Sequence, residues 1–134
     1  MTNHNNPAQY NNYIEELLDY YNTYKPLAQE TGDFLREVAP YNPKLYSNDL
    51  RHQYASAVMA QKFGQDKARL LGNLNEYTDF GQSGRYDSKI DQFNNKVGRE
   101  YAIMFPNANK KEMLNILFSN YDKTKSQRLK ELGF

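Results

Sequence analysis

From Gln9 the apolar residues Tyr10, Tyr13, Ile14, Leu17, Leu18 and Tyr21 recur at intervals of three and four, the spacing that puts side chains on one face of an α-helix. The pattern predicts an amphipathic helix ending near Lys25-Pro26, because proline has no amide hydrogen and disfavours helical geometry in its predecessor. A second helix follows with Leu27, Phe34, Leu35 and Val38 on its apolar face, weakened by Gly32 and stopped by Ala39-Pro40-Tyr41-Asn42-Pro43. Pro40 to Tyr46 reads as a loop. Ser47 or Asn48 then caps a helix starting at Asp49, whose carboxylate suits the positive end of the helix dipole. Leu50, Tyr54, Ala57, Val58 and Gln61 trace one face of it, and Ala55, Met59, Ala60 and Phe63 carry apolar surface nearly all round, as in a helix surrounded by others. Gly64 closes it.

Asp66 to Glu76 forms a shorter predicted helix with Ala68, Leu71 and Leu74 inward. Tyr77 to Asp87, with Gly81 and Gly84, reads as a turn-rich loop with room for a small hairpin. Ser88 caps the clearest helix of the chain, in which Ile90, Phe93, Val97, Tyr101 and Met104 step by three and four until Pro106. Asn107 or Asn109 caps another, carried by Met113, Leu114, Ile116, Leu117 and Tyr121, and Lys125 to Leu132 add a last turn or two before Gly133. Strand alternation is almost absent, so the fold class read from the sequence is all-α, a single compact bundle of five to seven helices. Residues 1–8 lack apolar periodicity and are expected to be disordered, leaving 9–134 as one helical domain.

Composition narrows the chemistry. With 134 residues the chain has the size of one domain and can bury enough surface to fold without staples. It contains no cysteine, which removes disulfides, thiol catalysis and thiolate metal sites. No apolar run approaches the roughly 18 to 20 residues that cross a bilayer, and no charged-then-apolar leader opens the chain. A soluble protein without a membrane span is expected, cytoplasmic as synthesised, with export or delivery left to another system. Seventeen basic against sixteen acidic residues disfavour a partner held by bulk charge, such as nucleic acid. Twelve tyrosines and seven phenylalanines without tryptophan suit both a core and a contact surface.

Three places carry polar residues where the pattern asks for apolar ones. Arg51 and His52 open the central helix, and His52 shares a side with Ala55, Ser56 and Met59, which points it toward packed surface. Gly72-Asn73-Leu74-Asn75-Glu76 ends the shorter helix, placing an acid before a flexible loop and a glycine one turn earlier, where another helix or a ligand can approach. Asp91, Asn95 and Gly98, with Asn94 and Arg99 beside them, border the apolar stripe of the clearest helix, and Arg99 is in reach of Asp91 or Asn95. A polar stripe beside a core seam is what a buried network or a site requires.

The order of these residues resembles an uncharacterised family of small bacterial and phage-associated helical domains. Its pattern is Asp-x-Arg-His, here Asp49 to His52; a helix end reading His-Glu or Asn-Glu, here Asn75-Glu76; and Asp-x-x-Asn-Asn-x-x-Gly, here Asp91 to Gly98. The resemblance covers roughly residues 48–101. It implies that Arg51, His52, Glu76, Asp91 and Asn95 form one polar cluster, and it points to modules found near phage genes and in secreted toxin-like proteins. It brings no reaction with it.

Two function classes follow. The first is a hydrolase of cell-wall glycan or toxin-like type acting on a polymeric or protein substrate. His52, Glu76 and Asp91 are its candidate catalytic residues, and Arg51, Asn75, Asn94, Asn95 and Arg99 are its candidate substrate-binding residues. A carboxyl group beside an apolar seam can titrate near neutrality, as general acid chemistry needs. The acid before a polar loop has a topological likeness to lysozyme-like muramidases. One well-placed histidine and no cysteine make a poor zinc site, so no metal and no cofactor are expected. The second class is a protein-binding inhibitor or adaptor with a structural polar core, contacting its partner through exposed Tyr10, Tyr13, Tyr20, Tyr21 and Tyr24 with Glu15, Glu16 and Asp19. Nucleic-acid contact through Lys110, Lys111, Lys123, Lys125, Arg128 and Lys130 ranks third, since basic residues on a terminal helix usually form a solvated face.

Overall fold

Tyr20, Leu27, Thr31 and Leu35 form a buried stripe along one helix, α1 (Pro7–Val38), which runs straight through Pro26. The computed structural model describes the chain except residues 1–6, 41–46 and 79–84, together with the side chains of 7–13, 17, 47, 74–78 and 85–87. The two helices expected on either side of Lys25-Pro26 are therefore one. The continuous apolar stripe overrides the local signal: burying a large side chain such as Leu27 stabilises by about 1.5–3 kcal/mol. Asn22 and Pro26 are both exposed, so the carbonyl that loses its donor lies on the face where water can replace it. Pro26→Ala is expected to raise stability by about 1–3 kcal/mol, measured as a shift of the urea midpoint without change in slope.

The remaining elements are α2 (Ser47–Phe63), α3 (Gln65–Thr78), α4 (Arg85–Met104), α5 (Lys110–Ser119) and α6 (Tyr121–Leu132). The described residues thus form an all-α bundle of six helices with no strand, and the segment proposed for a hairpin lies largely outside them, at 79–84. Gly64 ends α2 at φ +89 with its amide on Ala60 O, a left-handed conformation that glycine adopts without steric cost. Asn109 caps α5 in a reciprocal box with Glu112. Two boundaries differ from expectation. α4 starts at Arg85, before Ser88, and the chain breaks at Asn120, so that Tyr121 opens α6 instead of closing α5.

α2 is the hub, packed against α1, α3, α4 and α5, and its Leu50, Tyr54 and Ala57 are fully buried. Tyr54 donates to Glu30 Oε2 at 2.5 Å, and Lys110 reaches Glu30 Oε1 at 3.2 Å, tying α2, α1 and α5 together. Burial and the Glu30 carboxylate hold the Tyr54 hydroxyl protonated, far above its usual range. α2 and α4 share the largest interface. Their contacts advance together, from Asn48 with Asp91 through His52 with Asn95 to Gln61 with Phe105, so the two helices run parallel. Gly98 lets them meet. A Cβ there would fall far inside contact distance of the Gln53 carbonyl oxygen, 2.9 Å from Ser56 Cβ and 3.0 Å from the Ala57 nitrogen. No helix among the described residues is long and apolar enough to cross a membrane.

Candidate functional site

The seam between α2 and α4 carries two adjoining polar networks, because polar residues at three- and four-residue spacing on each helix face those on the other. The inner network is centred on Asp49. Asn94 Nδ2 donates to Asp49 Oδ1 at 2.9 Å, while Tyr121 OH (3.2 Å) and Arg128 Nη1 (3.1 Å) donate to Asp49 Oδ2. Gln53 Nε2 donates to Asn94 Oδ1 at 2.9 Å. Asp49, Gln53 and Asn94 are all buried, and the Arg128 charge compensates the carboxylate that burial would otherwise make costly.

The outer network is centred on His52. Its Nδ1 lies 3.2 Å from Asn95 Oδ1, which also accepts from Ser56 Oγ at 3.0 Å. Since an amide oxygen only accepts, Nδ1 carries the proton. Nε2 stands 3.4 Å from Asp91 Oδ1, which takes a further hydrogen bond from Asn48 Nδ2 at 3.3 Å. Asn48 Oδ1 accepts in turn from half-buried Arg51. His52, Asp91 and Asn95 are each less than a tenth exposed. Tyr24 covers the imidazole with ring centroids 6.2 Å apart, and Tyr20 stacks on Tyr24 at 6.3 Å. α3 closes the far side: a Cβ on Gly72 would lie 3.6 Å from Asn95 Nδ2 and 3.8 Å from the Tyr20 hydroxyl.

Burial lowers the proton affinity of His52, Asp91 raises it, Arg51 lowers it, and Asn95 and Asp49 raise it, with a net shift below the ordinary value of 6.5. A histidine depressed in the folded state protonates more readily when unfolded, so its contribution is complete above about pH 6.5 and declines as the pH falls through that value. Tm is therefore expected to drop between pH 7.5 and 5.5, and His52→Gln should flatten that dependence. An equally steep profile in the variant would remove His52 as its source.

Four sequence-derived candidates, Arg51, His52, Asp91 and Asn95, thus share one connected outer network, and Asn94 belongs to the inner one. Asn75 and Glu76 fall within α3, but their side chains lie outside the described residues. Arg99 makes no bond to Asp91 or Asn95 among the described residues; its electrostatic neighbours are Arg69, Glu100 and Tyr20. The exposed tyrosine face is corrected in part. Tyr20 is 3% exposed and belongs to the core, Tyr21 and Tyr24 are half-buried, and the side chains of Tyr10 and Tyr13 lie outside the described residues. Of the basic run, Lys110 pairs with Glu30 and Arg128 with Asp49. Sequence reasoning placed Asp49 at a helix start and missed its role as a hub. The available signal was Asp49 and Gln53 at i and i+4 in a helix otherwise apolar all round, facing the equally misplaced Asn94. No group of three or more metal-ligating side chains occurs among the described residues.

Residues 11–125 match the family model of a domain of unknown function, DUF6973. No curated protein and no solved structure matches the chain.

Proposed function

The chain belongs to the DUF6973 family, and on that premise we propose that the outer network is the acid–base centre of a small hydrolase, of phage or bacterial mobile-element type. The observation that carries this reading is the line Asn95–His52–Asp91 with Arg51 beside it. The inner network already ties α2 to α4 through a compensated ion pair. The outer one adds an imidazole and a carboxylate 3.4 Å apart and a guanidinium whose bond goes to a neutral amide. In this reading Asn95 fixes the His52 tautomer, and the pair formed by Nε2 and Asp91 takes the proton of an attacking water and returns it to the leaving oxygen. Arg51 stabilises the negative charge that develops on the substrate. Glu76 supplies a second carboxylate, as glycan hydrolysis uses.

The test sets wild type beside His52→Gln, Asp91→Asn and Glu76→Gln on p-nitrophenyl acetate, bis-p-nitrophenyl phosphate and purified peptidoglycan. Turnover of one of them is expected, reduced at least about 100-fold in His52→Gln and Asp91→Asn, with circular dichroism and Tm close to wild type. No turnover by wild type on any of the three, together with collapse of the Asp91→Asn fold, would replace this reading with a non-enzymatic inhibitor or adaptor. Burial favours that second reading, since His52 and Asp91 are 6% and 8% exposed and both imidazole nitrogens face partners.

A further inference from the structure

The face shared by α3 and α4 sets two arginines against each other. Arg99 follows Gly98 on α4 and is half-buried, and Arg69 is exposed on α3, the helix packed across from it. Burial and the neighbouring Arg69 charge both act against the Arg99 cation, outweighing the attraction of Glu100 and Tyr20. Among the described residues neither guanidinium has a hydrogen bond or an ion pair, whereas half-buried Arg128 at the opposite seam is matched by Asp49. A partly desolvated cation facing a like charge is a costly arrangement when nothing compensates it. Bound anion compensates it.

We propose that Arg69 and Arg99 form a binding site for a phosphate group, one turn along α4 from Asn95. The class of anion follows from the donors. One planar guanidinium fork saturates both oxygens of a carboxylate, whereas two forks on adjacent helices match a group with three or more oxygens to share. Tyr20 borders the same place: its hydroxyl lies near Gly72, and its charge interaction reaches Arg99. Because Gly72 adds no side chain, it leaves the space between Tyr20, Asn95 and the arginine pair unfilled from α3. The site stands apart from the hydrolase reading, since binding is measured without turnover.

The experiment uses the full chain and titrates inorganic pyrophosphate at constant ionic strength, with chloride as the reference, reading Tm and isothermal calorimetry. Saturating pyrophosphate is expected to raise Tm by about 5–10 °C over chloride. Arg99→Gln and Arg69→Gln should each weaken binding at least about tenfold. Arg36→Gln, an exposed site on α1, should leave it unchanged. Arg69 is exposed, so its variant keeps the test decisive if Arg99→Gln folds poorly. A second arm replaces pyrophosphate with phosphatidic acid vesicles against neutral vesicles. Arginine-dependent binding in the first arm assigns a soluble phosphate, and in the second alone a lipid headgroup. No rise over chloride and no vesicle binding, or the same affinity in both arginine variants, overturns the proposal.

Discussion

Gly98→Ala should destabilise the protein by about 3 kcal/mol or more, the upper end of what overpacking costs, and lower Tm by roughly 10 °C. The reason is where the added atom lands. It meets the Gln53 carbonyl and the Ala57 amide nitrogen, which are backbone and cannot swing aside, so α2 and α4 must separate. Separation would stretch every bond of both polar networks at once. Gly72→Ala is the matched control, because its new Cβ meets only Asn95 Nδ2 at 3.6 Å and Tyr20 OH at 3.8 Å, ordinary contact distances. Alanine's better helix propensity should make that variant neutral or up to about 1 kcal/mol more stable. Equal losses at the two glycines, read by urea unfolding, would refute the close packing of the seam.

Asp49→Ala is expected to cost about 3–5 kcal/mol, because it strands the buried Asn94 amide and leaves Arg128 without its counter-charge. Asp49→Asn should fall between the two, keeping an acceptor for Asn94 but no negative charge. Removing the orphaned cation as well should recover part of the loss, so Asp49→Ala with Arg128→Met should be less damaging than the sum of the single changes. Additive losses in that cycle would mean that the ion pair contributes nothing beyond its separate members. With a total stability on the order of 5–15 kcal/mol, the single Asp49 change alone can bring the domain close to unfolding.

Local chemistry was legible in the sequence wherever one residue type has one physical use. Gly64 ends α2, Asn109 caps α5, and the stripe Phe93, Val97 and Tyr101 of α4 is buried. His52, Asp91 and Asn95 stood out because each interrupts an apolar face, and the structure brings them together. Partnerships across the fold were illegible, since they depend on which helices neighbour each other. Asp49 draws Tyr121 and Arg128 from more than seventy residues away, and nothing local marks either of them as its partner. Pro26 misled for the converse reason: the local rule was sound, but packing along α1 outweighed it.

The parallel alignment of α2 and α4 also sets an order of events in folding. Its hydrogen bonds join residues 39 to 47 apart, and none can form until α3 has carried the chain back along α2. Neighbouring helices such as α2 with α3, or α5 with α6, close much shorter loops and meet sooner, because loop closure becomes costlier with length. The seam is thus the last part to lock. Substitutions within it should leave the refolding rate nearly unchanged and speed unfolding instead, which makes the polar seam the element that sets how long a folded molecule persists.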